Sequence, residues 1–122
     1  MRVIIQRVKS ASVTSEGKPT GSIEEGLLLY IGVGKEDCEE DVIYLGDKIP
    51  NLRIFPDEND KMNRSLFDVN GSILAVSQFT LMGDCRKGRR PGFSDAAPPE
   101  EANELYESLI ARWRKDGIVV ET

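Results

Sequence analysis

The sequence contains no histidine, and this absence removes several common kinds of catalytic site. A Ser-His-Asp triad and a Cys-His dyad both need an imidazole, because only that side chain has an unperturbed pKa near about 6.5. A zinc site with histidine ligands is excluded for the same reason, and the two cysteines are too few for an all-thiolate zinc site. Any hydrolytic chemistry must therefore come from carboxylates, hydroxyls, backbone N–H groups or the substrate.

Cysteines and long apolar runs are also scarce. Cys38 and Cys85 are the only cysteines, so no disulfide scaffold is expected and a reducing cytoplasm is the simplest compartment. No apolar run approaches the length of about 18 residues that a membrane span needs. Charge at Arg7 interrupts the N-terminal segment before a signal peptide can form. With 122 residues, 39% of them hydrophobic and 30% charged, the chain is expected to be one soluble cytoplasmic domain.

The formal net charge of -5 means that the surface as a whole repels a polyanion. Contact with a nucleic acid therefore needs a local basic patch. Residues 86–90 provide one, because they include four cations, namely Arg86, Lys87, Arg89 and Arg90. These residues are candidates for contact with RNA phosphates. The alternative is that they form salt bridges within the chain or between subunits, since acidic residues are numerous.

Apolar patterning predicts the elements of the first half of the chain. Residues 3–13 are expected to form one long, bent strand, and the apolar run 27–33 a central strand covered on both faces. Apolar residues recur at helical spacing from Cys38 to Ile49, which predicts an amphipathic helix that ends before Pro50. A short strand is predicted at 52–55, followed by a reversal of the chain.

The second half predicts one more strand, a helix and a final strand. Asn70-Gly71 is typical of a tight turn, and residues 72–81 are expected to form the strand after it. The helix is predicted to open at Pro98-Pro99 and to stop at Gly117, with the last strand beginning at Ile118. Because strands outnumber helices and do not alternate strictly with them, we expect a single α+β domain. Its sheet is expected to be mostly antiparallel and strongly curved, with two flanking helices.

Five groups of residues occur in one order along the chain, without a large insertion between them. They are Gln6-Arg7-Val8 with Ala11-Ser12-Val13, Asn51-Leu52-Arg53-Ile54-Phe55, Ser77-Gln78-Phe79-Thr80-Leu81, Arg86-Lys87-Gly88-Arg89-Arg90-Pro91 and Ala97-Pro98-Pro99. Together these motifs resemble those of the D-aminoacyl-tRNA deacylases. The resemblance extends over residues 1–120, which makes it more specific than any one motif.

The resemblance implies an activity, a fold and an assembly. Members of this family hydrolyse the ester that joins a D-amino acid to tRNA, a proofreading step in translation. They have a small barrel-like β structure flanked by helices and work as homodimers, and their Ser-Gln-Phe-Thr segment, here Ser77–Thr80, lines the active site. The expected partners are therefore a tRNA with an aminoacylated 3′ end and a second copy of the chain, and neither DNA nor a membrane.

The second motif of the family, a Gly-Pro element with a cis peptide bond, does not occur in this sequence. In the family it reaches across the dimer interface and excludes L-amino acids by shape. We therefore expect residues 1–122 to form one deacylase-like domain that lacks the final C-terminal segment with this element. Selection for the D-amino acid is expected to depend on that segment.

The resemblance implies that the chemistry lies at Ser77, Gln78, Phe79 and Thr80, and the absence of histidine leaves this segment without an obvious protein base. An activated ester needs positioning, oxyanion stabilisation and one proton transfer, so N–H groups around Gln78 and Phe79 are the expected oxyanion donors. The 2′-hydroxyl of the terminal ribose is the candidate proton acceptor. A nucleophilic Thr80 is the alternative. For Ser77, the alternative to a catalytic role is a hydroxyl bonded to nearby backbone.

Arg7 is a cation in a predicted strand of mostly uncharged residues. The resemblance suggests that it braces the wall of the active site and contacts the substrate there. The alternative is an ordinary exposed arginine on a strand.

Two other classes of function stay open at this point. One is a non-catalytic tRNA-binding module, which would bind charged and uncharged tRNA alike. The other is a structural fragment that dimerises through a sheet edge and ignores tRNA. The sequence contains no set of ligand residues that would indicate a metal ion or a cofactor for any of these functions, so none is expected.

Overall fold

The computed structural model describes residues 1–122 and contains eight strands, two α-helices and one 3-10 helix. In chain order the elements are β1 (Arg2–Val8), β2 (Ala11–Ser15), β3 (Lys18–Ile23), β4 (Gly26–Gly32), α1 (Glu39–Asn51), β5 (Phe55–Pro56), β6 (Met62–Arg64), β7 (Ser72–Ser77), the 3-10 helix Phe79–Met82, α2 (Pro99–Lys115) and β8 (Val120–Glu121). The α+β class and the two helices are as predicted. At 13 and 17 residues, both helices fall short of what a membrane crossing requires.

The principal sheet has the strand order β1-β4-β7-β8. Strand β1 is antiparallel to β4, whereas β4, β7 and β8 run parallel to one another. The prediction of a mostly antiparallel sheet is therefore wrong for this sheet, which is mixed. The reason lies in the connections: α1 lies between β4 and β7 and α2 between β7 and β8, and a helical crossover returns the chain in the same direction. The two small sheets, β2-β3 and β5-β6, are antiparallel.

The helices α1 and α2 pack against each other, and α2 is tied to the principal sheet. Trp113 of α2 is fully buried, and its indole N–H donates to the Gly46 carbonyl of α1 at 3.0 Å. Tyr106 donates its hydroxyl proton to the Ala75 carbonyl of β7 at 3.1 Å. The Tyr106 contact joins the middle of α2 to β7, so the first turns of α2 lie on the same side of the sheet as the candidate site.

Two predicted boundaries are wrong for identifiable reasons. The expected strand 3–13 is divided, because β1 pairs with β4 whereas β2 turns away to pair with β3. The first helix continues through Pro50 to Asn51. Proline has no N–H to offer the carbonyl four residues before it, and here the freed carbonyl is that of Gly46, which accepts the Trp113 indole N–H instead. The helix therefore loses no buried hydrogen bond.

The strand predicted for 72–81 is shorter than expected. Strand β7 ends at Ser77, and the chain bends into the 3-10 helix Phe79–Met82. This helix lies directly over Gly32 of β4, where an added Cβ atom would come within 2.9 Å of the Leu81 Cβ atom. A glycine is needed at that position because only the absence of a side chain lets the two segments approach so closely.

The C-terminal elements agree better with the sequence. The predicted second helix is confirmed as α2, and Gly117 follows it with a φ of 86°, as expected for a helix stop. The final strand, β8, begins at Val120 rather than at Ile118.

Candidate active site

The candidate site begins where β7 leaves the principal sheet. Ser77 is the last residue paired with β4, opposite Ile31. The backbone N–H of Gln78 still donates to the Ile31 carbonyl at 2.8 Å, and the 3-10 helix starts at the next residue. The segment Ser77–Thr80 therefore combines the end of a buried strand with the first turn of a helix.

The backbone N–H groups of this segment are not equivalent. The first N–H groups of a helix have no acceptor inside it, and neither Phe79 nor Thr80 donates its amide to a loop carbonyl or to a side chain. The N–H of Gln78, in contrast, is used by the sheet. Of the two predicted oxyanion donors, the Gln78 amide is already bonded to Ile31, which leaves the Phe79 amide as the candidate donor.

The two hydroxyl groups of the segment also differ. The Thr80 hydroxyl accepts a hydrogen bond from the side-chain amide of Gln78. An amide N–H is a donor and cannot remove a proton, so this contact does not activate Thr80 as a nucleophile. Ser77 is exposed at the end of β7, and both of its interpretations, a catalytic role and a hydroxyl bonded to nearby backbone, stay predictions.

A cleft of about 430 Å³ lies against this segment. It is bounded by the end of β7, the chain after the basic run and the first turns of α2, and its lining residues are Ser77, Phe79, Phe93, Ala96, Ala97, Pro99, Ala102 and Asn103. The rings of Phe79 and Phe93 meet edge to face, with centroids 5.3 Å apart. Gln78 and Thr80 do not line the cleft. Of the four predicted catalytic residues, the structure thus brings Ser77 and Phe79 to it.

The cleft wall opposite β7 is fixed by backbone contacts with the chain after β4. Ala97 donates its N–H to the Val33 carbonyl at 2.9 Å, and Lys35 donates to the Asp95 carbonyl at 3.0 Å. The alanines of the wall leave room for a ring-sized group. Phe79 keeps 59% of its surface exposed, which is unusual for a large apolar side chain beside a cavity.

Arg7 lies away from this cleft. Arg7 is paired with Leu27 of β4, whereas Ser77 is paired with Ile31 of β4. Leu27 and Ile31 are four residues apart along the strand, which corresponds to about 13 Å at about 3.3 Å per residue. Its guanidinium donates to the Ile54 carbonyl at 2.6 Å, so it braces the chain after α1. Arg7 and Ser77 of one chain are therefore not brought together.

Arg2 is the arginine of β1 that reaches the candidate site, and sequence reasoning missed it. Its guanidinium donates to the Leu81 carbonyl at 3.0 Å and so holds the end of the 3-10 helix. Arg2 is paired with Gly32, the residue beneath this helix. The signal that could have placed Arg2 on the outer face of the sheet is the alternation along β1, because Arg2, Ile4 and Gln6 are spaced two residues apart and all are exposed.

Residues 84–92, which we call the basic loop, follow the 3-10 helix directly. The loop is closed at its base by two backbone hydrogen bonds between Asp84 and Gly92, both 2.7 Å long. Gly88, near its tip, has a φ of 85°. All four predicted cations are exposed, but only Arg86 forms a salt bridge, with Asp84 at 2.7 Å. Lys87, Arg89 and Arg90 form none within the chain.

Asp84 is the strongly perturbed acid of this region. Hydrogen bonds from the Arg86 side chain and the Arg86 backbone N–H lower the pKa of Asp84 to about 2. The same contact raises the pKa of Arg86. The pair is therefore fully ionised at neutral pH. No group of three or more cysteine, aspartate or glutamate side chains is placed to hold a metal ion.

Comparison with known proteins supplies the family context. Residues 4–122 match the family model described as D-Tyr-tRNA(Tyr) deacylase. Over all 122 residues the chain is 59% identical to the D-aminoacyl-tRNA deacylase of Thermosipho africanus (strain TCF52B), covering 82% of that protein. It is 60% identical over the same length to the D-aminoacyl-tRNA deacylase of Exiguobacterium sibiricum, covering 84% of that protein.

Two solved structures have a similar fold. One, titled c-Myc DNA Unwinding Element Binding Protein, has a TM-score of 0.90 at 37% identity, and the match covers 98% of this chain and 83% of that one. The other is titled as a structural analysis of a probable eukaryotic D-amino acid tRNA deacylase. It has a TM-score of 0.78 at 21% identity, covers 93% of this chain and 66% of that one, and at this identity indicates the fold alone.

Proposed function

Since the chain belongs to the D-Tyr-tRNA(Tyr) deacylase family, we propose that its reaction takes place in the cleft beside Ser77 and Phe79. The activity is the hydrolysis of the ester bond of D-aminoacyl-tRNA, which releases the free D-amino acid and tRNA. The chain is thus a hydrolase of translational quality control. The observation that supports this location is the unoccupied Phe79 amide at the edge of a ring-sized cleft.

The Phe79 N–H is the proposed oxyanion donor. Attack on the ester carbonyl places negative charge on its oxygen, and a fixed N–H next to that oxygen stabilises the transition state more than the ground state. One donor of this kind contributes roughly 2.7 to 4 kcal/mol.

The proton from the attacking water goes to the substrate in this mechanism. The chain has no histidine, and Thr80 is bonded to a donor rather than to a base. The 2′-hydroxyl of the terminal ribose lies next to the ester and can accept and relay a proton. Ser77, exposed at the cleft, is proposed to position the ester or the water by hydrogen bonding.

The cleft is proposed to hold the 3′ end of the substrate. Phe79 and Phe93 offer aromatic surface, on which a base stacks with about 1–3 kcal/mol of stabilisation. The small side chains of Ala96, Ala97 and Ala102 leave space for a flat ring. Asn103, at the far side, can form a hydrogen bond with a ribose or a base edge.

The basic loop is proposed to contact the phosphates of tRNA. It is the one dense run of cations in a chain with a net charge of -5, and it starts beside the cleft. A tRNA that carries the ester in the cleft must place nearby phosphates along this side of the protein. Arg7 is not included in the phosphate contacts, because it lies at the other end of β4.

We also propose a homodimer that works in the cytoplasm, where translation supplies the substrate. Ile4, Tyr30 and Val76 are neighbours across β1, β4 and β7, so they share the outer face of the principal sheet. Ile4 is 53% exposed there, and a second copy can cover it. The barrel-like curvature that the family resemblance implies for the sheet of one chain stays a prediction. Sedimentation of the wild type against Ile4→Lys tests the assembly.

The decisive experiment measures the release of D-tyrosine and of L-tyrosine from matched aminoacyl-tRNAs. We expect fast release of the D form. A second substrate with a 2′-deoxy terminal adenosine should be cleaved at least about a hundredfold more slowly. Hydrolysis of neither tyrosyl ester would contradict the proposal, and unchanged cleavage of the 2′-deoxy ester would contradict the proton route.

A further inference from the structure

Asp84 makes more hydrogen bonds than any other side chain of the basic loop. Its carboxylate accepts from the Arg86 backbone N–H and from Nε at 3.0 Å each, and from a terminal guanidinium nitrogen at 2.7 Å. Its backbone forms both hydrogen bonds with Gly92 that close the loop. One residue thus fixes the first turn of the loop through its side chain and the base of the loop through its main chain.

The contact with Arg86 changes which cations are available to RNA. A fork of two guanidinium donors on one carboxylate is the strong form of this ion pair. The negative charge of Asp84 offsets the positive charge of Arg86, and Nε and one terminal nitrogen of the guanidinium donate to Asp84, while the Arg86 side chain itself stays exposed. Lys87, Arg89 and Arg90 have no such partner and project from the exposed part of the loop.

The loop is attached to the cleft at both ends. Before it, Gly83 donates its N–H to the Thr80 carbonyl at 3.0 Å. After it, Phe93 packs edge to face on Phe79. Gly83 and Phe93 are the immediate chain neighbours of Asp84 and Gly92, so no residue intervenes between each attachment and the base of the loop. The position of the three cations relative to the cleft is therefore set by short, hydrogen-bonded connections.

Granting the proposed function, we propose that Asp84 is a positioning residue: it withdraws Arg86 from RNA contact and holds the basic loop so that Lys87, Arg89 and Arg90 bind the phosphates near the esterified 3′ end. Arg86 then serves as a structural partner rather than as a phosphate ligand. The assignment separates four cations that the sequence presents as equivalent.

The test uses the full chain with Asp84→Asn, Arg86→Gln, the double variant and Arg89→Gln, with Lys115→Gln at the end of α2 as the control for loss of an exposed charge. The kcat and KM are measured with D-tyrosyl-tRNA and with the 3′-D-tyrosyl ester of adenosine, which has no phosphates. Binding of tRNA is measured between about 50 and 200 mM salt, the range in which phosphate contacts change affinity strongly.

Asp84→Asn is the most informative variant because it removes a negative charge, which by electrostatics alone should favour RNA binding. We expect it to raise KM for D-tyrosyl-tRNA about fivefold with unchanged kcat, since the cations must now be ordered during binding. The adenosine ester should be cleaved as by the wild type. An unchanged KM, or tighter binding with a steeper salt dependence, would overturn the proposal, because Asp84 would then be only an exposed ion-pair partner.

The salt dependence separates Arg86 from the other cations. Arg89→Gln should reduce the slope of binding against log salt by about 0.7–0.9, the value of one phosphate contact. Arg86→Gln should weaken binding and leave the slope as in the wild type. If Arg86→Gln reduced the slope as Arg89→Gln does, Arg86 would be a phosphate ligand and the assignment would be wrong.

The double variant tests whether Asp84 and Arg86 act through one contact. We expect the KM of the double variant for D-tyrosyl-tRNA to be no higher than the higher of the two single-variant KM values, because either single change already removes the contact between Asp84 and Arg86. Additive effects would contradict this. Failure of the wild type to cleave either substrate would instead refute the proposed function, so the two failures are distinguishable.

Discussion

The cleft and the basic loop lie side by side, yet they are built in opposite ways. The cleft has alanines, two phenylalanine rings and a free backbone N–H, and its walls are held by hydrogen bonds to the end of β4 and to the chain after it, and by α2. The basic loop is exposed along residues 85–92 and is held by one ion pair and two backbone hydrogen bonds. The first region suits chemistry on a small group, and the second suits attraction of a large polyanion.

This difference teaches how a chain with a net charge of -5 can act on RNA. Catalysis needs atoms placed to a fraction of an ångström, which packing and main-chain hydrogen bonds provide. Attraction of a polyanion needs charge in roughly the right place, and the three free cations of the basic loop are the proposed source of that charge. Substitutions in the two regions should therefore have different kinetic effects.

The largest effect is expected from filling the cleft. Ala102→Trp places an indole in the space beside Ser77 and Phe79, and it should lower kcat/KM by at least about a hundredfold for both D-tyrosyl-tRNA and the adenosine ester. The matched control is Ala111→Trp, on the exposed side of the same helix. Equal activity of the two tryptophan variants would show that the cleft is not the reaction site.

The next effect is expected from removing the free cations of the basic loop. Lys87→Gln, Arg89→Gln and Arg90→Gln together should raise KM for D-tyrosyl-tRNA by about tenfold or more at low salt and leave the adenosine ester unaffected. A triple variant at exposed Lys18, Lys61 and Lys115 changes the net charge equally and serves as the control. A similar rise in KM for both triple variants would mean that net charge alone attracts tRNA.

A smaller effect is expected from the hydroxyl next to the cleft. Thr80→Ala should retain most of the activity, with less than about a tenfold loss, because the Thr80 hydroxyl is bonded to the Gln78 amide and has no base. Single-turnover rates with D-tyrosyl-tRNA provide the measurement. A loss beyond roughly a thousandfold that Thr80→Ser restores would favour a covalent mechanism instead.

The smallest effect concerns the response of the basic loop to acid. The pKa of Asp84 is lowered to about 2 by Arg86, so the contribution of this pair to loop order is complete above the ordinary aspartate pKa near about 3.9. It should be lost as the pH falls through about 2. Chemical shifts of residues 84–92 should follow this titration before the core unfolds. A midpoint near 4 would show that the pair does not form in solution.

Much of the fold could be predicted because it is encoded in local patterns. The helix α2 was found from its apolar spacing, its opening prolines and Gly117, and each of these features acts within a few residues. The parallel pairing of β4 with β7 could not be predicted in this way, because it depends on the path of the long connection through α1, which returns the chain to the sheet beside β4. The same applies to Pro50, which is tolerated only because Trp113 satisfies the carbonyl that it frees.

The sequence by itself determined which kinds of chemistry are excluded, and it predicted where in the chain the reaction takes place. The absence of histidine left backbone donors and the substrate to act, the motifs pointed to Ser77–Thr80, and the basic run pointed to RNA. Tertiary structure alone decided which of these groups have hydrogen-bond partners. The Gln78 amide donates to the sheet and the Phe79 amide does not, and Arg2 rather than Arg7 donates to the 3-10 helix. Asp84 accepts hydrogen bonds from Arg86. The physical reason is that residue types and short spacings set what a group can do, whereas hydrogen-bond partners depend on strand register and on where the chain turns.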